Sequence, residues 1–265
     1  MKGRVLIIAG SDSGGGAGIQ ADIKTVTALN GYAATAITAL TAQDTQGIYG
    51  VSEVAPSFVV QQIDAVLGDI GADCLKTGML HNAGIVDAVA DVYEAKGGGI
   101  PLVLDPVMAA KSGDPLLDTD ARQALRRRLL VHATVLTPNV PEAELLTGMT
   151  IASRDDMTDA AAMLLTLGPT NVLLKGGHMP GDTVIDVFAH AHGVKEFESP
   201  RIATRHTHGT GCTLASAIAT GIAQGMELEA TIRRARAYVF EAIKSAPGFG
   251  AGHGPLNHAH TVGDS

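Results

Sequence analysis

The chain has 265 residues, of which 46% are hydrophobic and 17% are charged, so it can bury a sizeable core and is not intrinsically disordered. The net charge is −8 and the longest basic run is Arg126–Arg128, which removes the usual electrostatic basis for nucleic-acid binding. With two cysteines, no secretory signal and no apolar run near the roughly 20 residues of a membrane span, we expect a cytoplasmic protein that does not bind membranes. The length suits a single domain over residues 1–265.

Short apolar segments alternate with longer amphipathic ones over most of the chain. The predicted strands are Val5–Ala9, Ala33–Ala39, Asp73–Lys76, Leu102–Asp105, Val135–Thr137 and Val172–Lys175. The predicted helices between them are Ile19–Leu29, Ser57–Leu67, Ala83–Lys96, Asp118–Leu130, Glu142–Leu146 and Asp155–Leu167. Nearly continuous apolar strands are typical of a parallel sheet with helices on both faces. The pattern therefore predicts a doubly wound α/β sheet.

The pattern changes after Lys175. An antiparallel hairpin at one edge of the sheet is predicted from two segments, Val184–Ala189 and Val194–Glu198. Two helices are predicted to follow, at about Thr210–Gln224 and at Leu228–Lys244. The remaining Gly- and His-rich segment, Gly248–Ser265, is predicted to be irregular.

Turn-forming or acidic residues follow five of the predicted strands. These exits are Gly10–Gly18, Thr77–Met79, Asp105–Met108, Pro138–Asn139 and Gly176–Gly177. Turn chemistry alone could explain any single exit. Ligands of open parallel sheets bind beyond the carboxyl ends of the strands, so the five exits together predict a binding cleft there.

The sharpest motif is His208–Thr213, a Gly-rich turn that opens an apolar helix. Such a turn exposes unpaired backbone N–H groups and forms an anion cradle suited to a phosphoryl group. The same partial positive charge is expected to lower the pKa of the Cys212 thiol below the roughly 8.5 of free cysteine, which would make it reactive. The alternative is that Cys212 is only a small buried residue at a helix start. Cys74, within a strand, is expected to be a core residue.

Two better-known nucleotide signatures do not fit. The segment Leu75-Lys76-Thr77 lacks the glycine that precedes lysine in a Walker A motif. The segment Gly16–Ala21 satisfies Gly-x-Gly-x-x-Ala, but six residues separate it from the first strand and no acidic residue follows about 20 positions later.

Carboxylates at two neighbouring exits offer a metal site. Asp105, with Asn139 and Glu142 at the next exit, could hold Mg²⁺ through water. Alternatively, Glu142 simply favours a helix N-terminus. The histidine pairs His206/His208 and His258/His260 could bind a transition metal, but spacing alone is a poor indicator and we expect surface or turn residues.

These motifs resemble the ribokinase-like superfamily and, within it, the hydroxymethylpyrimidine/phosphomethylpyrimidine kinases of thiamine biosynthesis. The resemblance covers nearly the whole chain, through Ala9–Gly18, Thr38–Gln43, Asp105–Met108, Thr137–Glu144, Lys175–His178, His208–Thr213 and Gly250–His258. Many superfamily members carry aspartate at the position of Cys212, so the cysteine narrows the choice to this branch and some pyridoxal kinases. The resemblance implies a three-layer α/β/α sandwich, with a mostly parallel central sheet and an antiparallel hairpin at one edge.

The activity that the resemblance implies uses ATP and Mg²⁺. It phosphorylates 4-amino-5-hydroxymethyl-2-methylpyrimidine to its monophosphate and then to its diphosphate, in a homodimer. The nearest alternative is a pyridoxal kinase of the same fold. From another class, Cys212 with His206 or His208 as base could form a thiol hydrolase, and a pyrimidine sensor that transfers nothing is a third possibility.

The resemblance also assigns residues. Gln43 would bind the aminopyrimidine edge, Met79 and Val107 would pack on the ring, and Ala9, Gly10 and Asp22 would lie near the hydroxymethyl group. Gly209, Thr210, Gly211 and Cys212 would form the anion hole, with Cys212 as base. Lys175, Asn139, Thr210 and Gly211 would bind the nucleotide, and Asp105 and Glu142 would support the metal.

Overall fold

Nine strands form one central sheet in the computed structural model of the protein, which describes residues 1–109 and 116–262. They are β1 (Arg4–Asp12), β2 (Tyr32–Gln43), β3 (Ile48–Glu53), β4 (Cys74–Thr77), β5 (Leu102–Leu104), β6 (Val135–Leu136), β7 (Asn171–Leu174), β8 (Thr183–His190) and β9 (Gly193–Pro200). The order across the sheet is β3-β2-β1-β4-β5-β6-β7-β8-β9. The six strands from β2 to β7 in this order are parallel, whereas β3, β8 and β9 pair antiparallel.

Helices cover both faces of the sheet. They are α1 (Gly18–Ala28), α2 (Pro56–Asp69), α3 (Ala83–Val92), α4 (Thr119–Ala124), α5 (Val140–Thr147), α6 (Arg154–Thr166), α7 (Thr210–Ala223) and α8 (Leu228–Lys244). Successive residues of β1 point to opposite faces, so Ile7 packs with Ile218 of α7 while Ile8 packs with Ile63 of α2. The result is the predicted three-layer α/β/α sandwich with its antiparallel hairpin, β8–β9, at one edge.

Two predicted helices change their winding before they end. After α3 the chain continues in a π-helical turn at Tyr93–Gly97. After α4 a π-helical turn at Leu125–Leu129 leads into a 3₁₀ turn at Leu130–His132. The predictions Ala83–Lys96 and Asp118–Leu130 therefore have the right extent but not a uniform α-helical geometry.

One strand, β3, was not predicted. It follows a turn in which the Asp44 carboxylate accepts from the amide of Gln46 at 2.7 Å, and it pairs antiparallel with β2 at the opposite edge from the hairpin. Its side chains are mostly exposed. A strand with no buried face shows no alternation of apolar and polar residues. The features of the sequence that indicate β3 are only Tyr49 and Val51, which favour strands and follow a turn.

The segment 248–262 contains neither helix nor strand, as predicted, and the last three residues of that prediction, 263–265, lie outside the described part of the chain. It lies against the start of α7 through a bridge between Pro255 and His208. Within the described residues, no helix has the length and apolar character needed to cross a bilayer.

His258 ties this segment to α7. Its Nε2 lies 2.9 Å from Thr213 Oγ1, and its carbonyl accepts from the Tyr238 hydroxyl at 2.7 Å. Burial, with Lys24 and His260 adding to it, lowers the pKa of His258 to about 4. The neutral imidazole is therefore the form that the folded chain holds.

We expect acid to destabilise the protein through His258. Because its folded pKa lies below the ordinary imidazole value, its contribution is complete above about pH 6.5 and falls as the pH drops toward 4, by about 2 kcal/mol between pH 6.5 and 5. Urea unfolding across this range measures the slope. His258→Asn should flatten it, whereas the same change at exposed His192 should not; equal slopes for the wild type and His258→Asn would contradict the assignment.

Candidate active site

A cleft of ≈ 810 Å³ opens where the parallel strands end. Thirteen of the fourteen predicted site residues line it: Ala9, Gly10, Gln43, Met79, Asp105, Val107, Asn139, Glu142, Lys175, Gly209, Thr210, Gly211 and Cys212. They come from the ends of β1, β2, β4, β5, β6 and β7 and from the start of α7, so the topology brings together segments that are far apart in sequence.

The first turn of α7 forms the anion cradle. Gly209 caps the helix with φ +83°, and a Cβ at this position would overlap the carbonyl oxygen of Gly16. The close approach therefore requires glycine. The amides of Gly211 and Cys212 lie in the first turn, where the helix supplies no acceptor, and both residues face the cleft. They can bind a phosphate oxygen.

A lysine stands beside the cradle. Lys175 Nζ donates to Asp105 Oδ1 at 3.0 Å, and Thr137 Oγ1 donates to the same oxygen at 3.2 Å. A Cβ on Gly211 would lie 3.1 Å from Lys175 Nζ, so the ammonium and the helix start are adjacent. Burial alone would lower the pKa of Lys175, but Asp105 and Glu142 raise it, and the side chain stays charged.

Glu142 caps the N-terminus of a helix, which is the alternative that its sequence position allows, and it also faces the cleft. Its amide donates to Asn139 Oδ1 at 2.9 Å while its Oε2 accepts from the Asn139 amide at 2.7 Å, a capping box at the start of α5. Burial raises the pKa of Glu142 to about 7, with Asp105 adding to the shift and Lys175 opposing it. The two carboxylates thus repel each other, and a cation bound between them would reduce this repulsion.

The prediction that the helix N-terminus lowers the pKa of Cys212 is wrong. Burial raises the pKa of this thiol to about 12, Asp22 and Asp105 add to the effect, and Lys76 opposes it. Desolvation and the two carboxylates, which come from other elements, outweigh the helix dipole. Cys212 is therefore a neutral thiol on the cleft wall, and Cys74 is fully buried, as expected of a core residue.

Asp22 is expected to line the cleft but does not. It lies behind the wall and is fully buried, and both its oxygens accept from Lys76 Nζ, at 2.8 and 3.0 Å. Ser216 Oγ donates to Asp22 Oδ1 at 2.7 Å. These donors hold the Asp22 carboxylate on the inward face of α1. Of the two residues, only Lys76 lines the cleft.

A second pair that sequence reasoning missed joins Asp12 and His208. His208 Nε2 lies 2.8 Å from Asp12 Oδ2, and the carboxylate also accepts from the amides of Gly14, Gly16 and Ala17. Burial opposes these hydrogen bonds, which nevertheless lower the pKa of Asp12. The pair fixes the loop after β1 against the cradle, and no sequence signal relates residues 196 positions apart.

The end of the cleft formed by β1, β2 and β4 contains the residues that the resemblance assigns to the pyrimidine. Gly10 packs so closely on Met79 that a Cβ there would overlap Met79 Cε. Gln43 ends β2 and its Oε1 accepts from Thr41 Oγ1 at 3.1 Å, which orients the amide. This end therefore offers the apolar surface of Met79 and an amide with both a donor and an acceptor.

The opposite end has an apolar lining that was not predicted. It consists of Val184, Pro200, Ile202, Val239, Phe240 and Ile243. These residues come from the edge strands, the loop after them and α8, where each sequence segment indicates ordinary core packing. Polar groups line the middle of the cleft, around Lys175 and the cradle, and the elements of this end also contribute Asp186, Arg201 and Arg236 to the lining.

A three-layer α/β/α sandwich with an anion cradle and a lysine–aspartate pair at its strand exits is the arrangement of a ribokinase-like kinase. The chain belongs to the family described as Phosphomethylpyrimidine kinase, whose model matches residues 12–257. It is 50% identical over 260 residues to the thiamine biosynthesis bifunctional protein ThiED of Geobacter sulfurreducens, covering 97% of this chain but only 52% of that protein. It is 45% identical over 260 residues to the hydroxymethylpyrimidine/phosphomethylpyrimidine kinase of Streptomyces coelicolor, covering 98% and 96% of the two chains.

Among solved structures, the ADP complex of Bacillus subtilis pyridoxal kinase is similar to this chain. The TM-score is 0.90 at 35% identity, and the match covers 98% of each chain. The predicted family, fold and phosphotransferase class are confirmed by these comparisons, while the roles of the individual site residues stay predictions.

Proposed function

We propose that this chain transfers the γ-phosphoryl group of ATP to the hydroxyl of 4-amino-5-hydroxymethyl-2-methylpyrimidine, and then a second one to the monophosphate. The observation that carries the proposal is the order of features along one cleft. Across the sheet, Gln43 ends β2 and Met79 and Val107 follow β4 and β5, the cradle Gly209–Cys212 lies beside Lys175 at the end of β7, and the lining residues Val184 and Pro200 belong to β8 and β9. A ring alcohol, a migrating phosphoryl group and a nucleoside fit these parts in that order.

ATP is proposed as the donor, with its base in the apolar end and its phosphates near Lys175, Asn139, Thr210 and Gly211. The similarity to a pyridoxal kinase described as an ADP complex supports an adenine nucleotide as the donor. Lys175 would neutralise phosphate charge, and the amides of the cradle would follow the transferring group. A loose phosphoryl transition state asks mainly for such positioning. We place the reaction in the cytoplasm, consistent with the two free cysteines.

Mg²⁺ fits the residues at the strand exits. Asp105 and Glu142 are oxygen ligands that are 2% and 5% exposed, and Lys175 pairs with Asp105 but not with Glu142. No group of three or more His, Cys, Asp or Glu residues that could hold a metal occurs within 1–109 and 116–262, and the proposed Mg²⁺ would keep several waters beside these two carboxylates. When bound, Mg²⁺ would neutralise the phosphates.

Cys212 is proposed to act on the nucleophile. In the first transfer the attacking alcohol must lose its proton, and the Cys212 sulfur is the proposed acceptor, which requires the thiolate. The phosphate that attacks in the second transfer has a second pKa near 6 and needs no base at neutral pH. A neutral thiol also avoids repelling that dianion.

The two transfers should therefore differ in their pH dependence. Because the pKa of Cys212 is raised to about 12, kcat/KM for the alcohol should rise between pH 7 and 9, whereas that for the monophosphate should stay nearly flat. Initial rates with each acceptor at saturating ATP measure both profiles. Cys212→Ala should remove the slope for the alcohol, and a slope that survives in this variant would assign the base elsewhere.

Cys212→Asp should impair the second transfer more than the first, because a fixed negative charge would face a dianionic nucleophile. We expect the ratio of the two kcat/KM values to fall about tenfold, roughly 1.4 kcal/mol. Cys212→Ser, which stays neutral but is a weaker base, is the matched control and should not lower this ratio. Equal losses in both transfers with Cys212→Asp would count against this explanation.

The proposed function is tested by incubating the pure protein with Mg-ATP and the hydroxymethylpyrimidine and following the product by mass. One added phosphate, then two, is expected. Product formation without ATP would favour the thiol hydrolase, although a thiol whose pKa is raised to about 12 is a poor nucleophile at neutral pH. No phosphorylated product would favour the non-catalytic sensor.

A pyridoxal kinase is the second candidate, favoured by the similarity to the Bacillus subtilis enzyme. The two candidates share the cradle and differ only in the ring that fills the pocket. Parallel assays with pyridoxal separate them, and a second phosphoryl transfer would exclude an enzyme specific for pyridoxal.

We also propose a homodimer. The ribbon of β2 and β3 leaves apolar side chains in solvent, with Leu40 48%, Tyr49 68% and Val51 43% exposed. An unpaired, apolar sheet edge of this kind is usually covered. Sedimentation should give the mass of a dimer, and Val51→Lys should give a monomer.

A further inference from the structure

A fully buried ion pair lies directly behind the cleft wall. Lys76, in the middle of β4, and Asp22, in α1, have side chains with 0% exposure and an Nζ–Oδ2 distance of 2.8 Å. Desolvating both partners costs as much as such a pair returns, and well-packed apolar residues often do as well. Stability alone therefore does not explain the pair.

The positive end of the pair faces the cleft. Lys76 is among the residues that line it, and Asp22 is not. A Cβ on Gly78 would lie 3.0 Å from both Lys76 Nζ and the Ala9 Cβ, so the ammonium sits beside Gly78 and close to Ala9, two residues that line the cleft. Lys175 sits on the other side of the cradle, next to Gly211.

The ammonium also has hydrogen-bonding capacity left. It carries three protons, and within the described residues its hydrogen-bond acceptors are the two oxygens of Asp22. Burial alone would lower the pKa of Lys76, but Asp22, Cys212 and Asp105 raise it, so the charge persists. A charge sealed from solvent is weakly screened and acts strongly at short range.

We propose that Lys76, held by Asp22 behind the pyrimidine pocket, is the positioning residue that lets the site use a doubly charged phosphate as nucleophile. This inference rests on the proposed function. In the first transfer the acceptor is a neutral alcohol and gains little from the charge. In the second, the acceptor brings two negative charges to the cradle, where Asp105 and the ATP phosphates already repel it, and Lys76 offsets that repulsion on the acceptor side.

The test removes the charges of the pair without leaving one of them alone. Asp22→Asn with Lys76→Gln keeps a neutral hydrogen-bonded pair, and Asp22→Leu with Lys76→Met replaces it by apolar side chains, so at least one charge-free pair is expected to fold. Ser216→Ala is the matched control, because it removes one contact to Asp22 and leaves both charges. Thermal melting and circular dichroism verify folding before the kinetics are read.

The readout is the ratio of kcat/KM for the monophosphate to kcat/KM for the alcohol, with Mg-ATP. We expect this ratio to fall at least tenfold in the charge-free variants, mainly through a higher KM for the monophosphate, and to stay within twofold of wild type in Ser216→Ala. An unchanged ratio in a folded charge-free variant, or equal losses for both acceptors, would overturn the inference. A wild-type protein that phosphorylates neither acceptor would instead refute the proposed function.

Discussion

Gly209→Ala is expected to lower kcat/KM for both transfers by about 10²–10³-fold. Gly209 has φ +83°, and the new Cβ would overlap the carbonyl oxygen of Gly16 in the loop after β1. That loop is held by Asp12 and cannot yield without losing its hydrogen bonds. The cradle and the loop must therefore move apart, and the amides that follow Gly209 no longer point at the phosphoryl group.

Gly225→Ala separates this clash from ordinary backbone strain. Gly225 follows the other end of α7 with φ +74°, and no atom lies within 4 Å of its added Cβ. It should share the cost of a left-handed conformation, about 1–2 kcal/mol, and keep full activity. If Gly209→Ala were folded and as active as Gly225→Ala, the cradle would not be where the phosphoryl group passes.

Lys175→Met should reduce kcat by about 10²–10³-fold, the usual cost of losing one charge-stabilising group in a transition state. The lysine is only 13% exposed and pairs with Asp105, which is 2% exposed, so the substitution also leaves a buried carboxylate without its cation. Initial rates at saturating ATP and both acceptors measure the effect, together with the melting temperature.

The control for this prediction is Lys195→Met. Lys195 forms an ion pair with Glu229 at 2.6 Å in which both side chains are about half exposed, at 43% and 45%. Exposed pairs contribute little, so neither activity nor stability should change appreciably. A Lys175→Met enzyme that turned over at the rate of Lys195→Met would exclude a catalytic role for the Lys175 charge.

Most of the fold could be predicted because its buried strands have a simple signature. The strands β5 and β7 and residues 5–9 of β1 are mostly apolar and buried, as is typical of a parallel sheet whose two faces are both covered. The exposed strand β3 has no such signature and was missed. The hydrophobic pattern therefore predicts the strands that are buried on both faces and does not predict the strand that is exposed on both.

The sequence predicts which residues line the cleft where they follow strands or open a helix, since those positions can be recognised from the order of residues alone. Cys212 lies at the cleft, but the predicted direction of its pKa shift is wrong, because burial raises this pKa and Asp22 of α1 and Asp105 after β5 add to the effect. The same limit applies to Lys76 and Asp22, which are 54 residues apart. Their pairing depends on the packing of α1 onto the sheet.

The most direct test of the phosphate cradle is a crystal structure with Mg²⁺ and a non-hydrolysable ATP analogue. We predict that the terminal phosphate lies within about 3 Å of the amide nitrogens of Gly211 and Cys212, with Lys175 beside it and the base among Val184, Val239 and Phe240. A terminal phosphate bound away from the Cys212 sulfur would contradict the account.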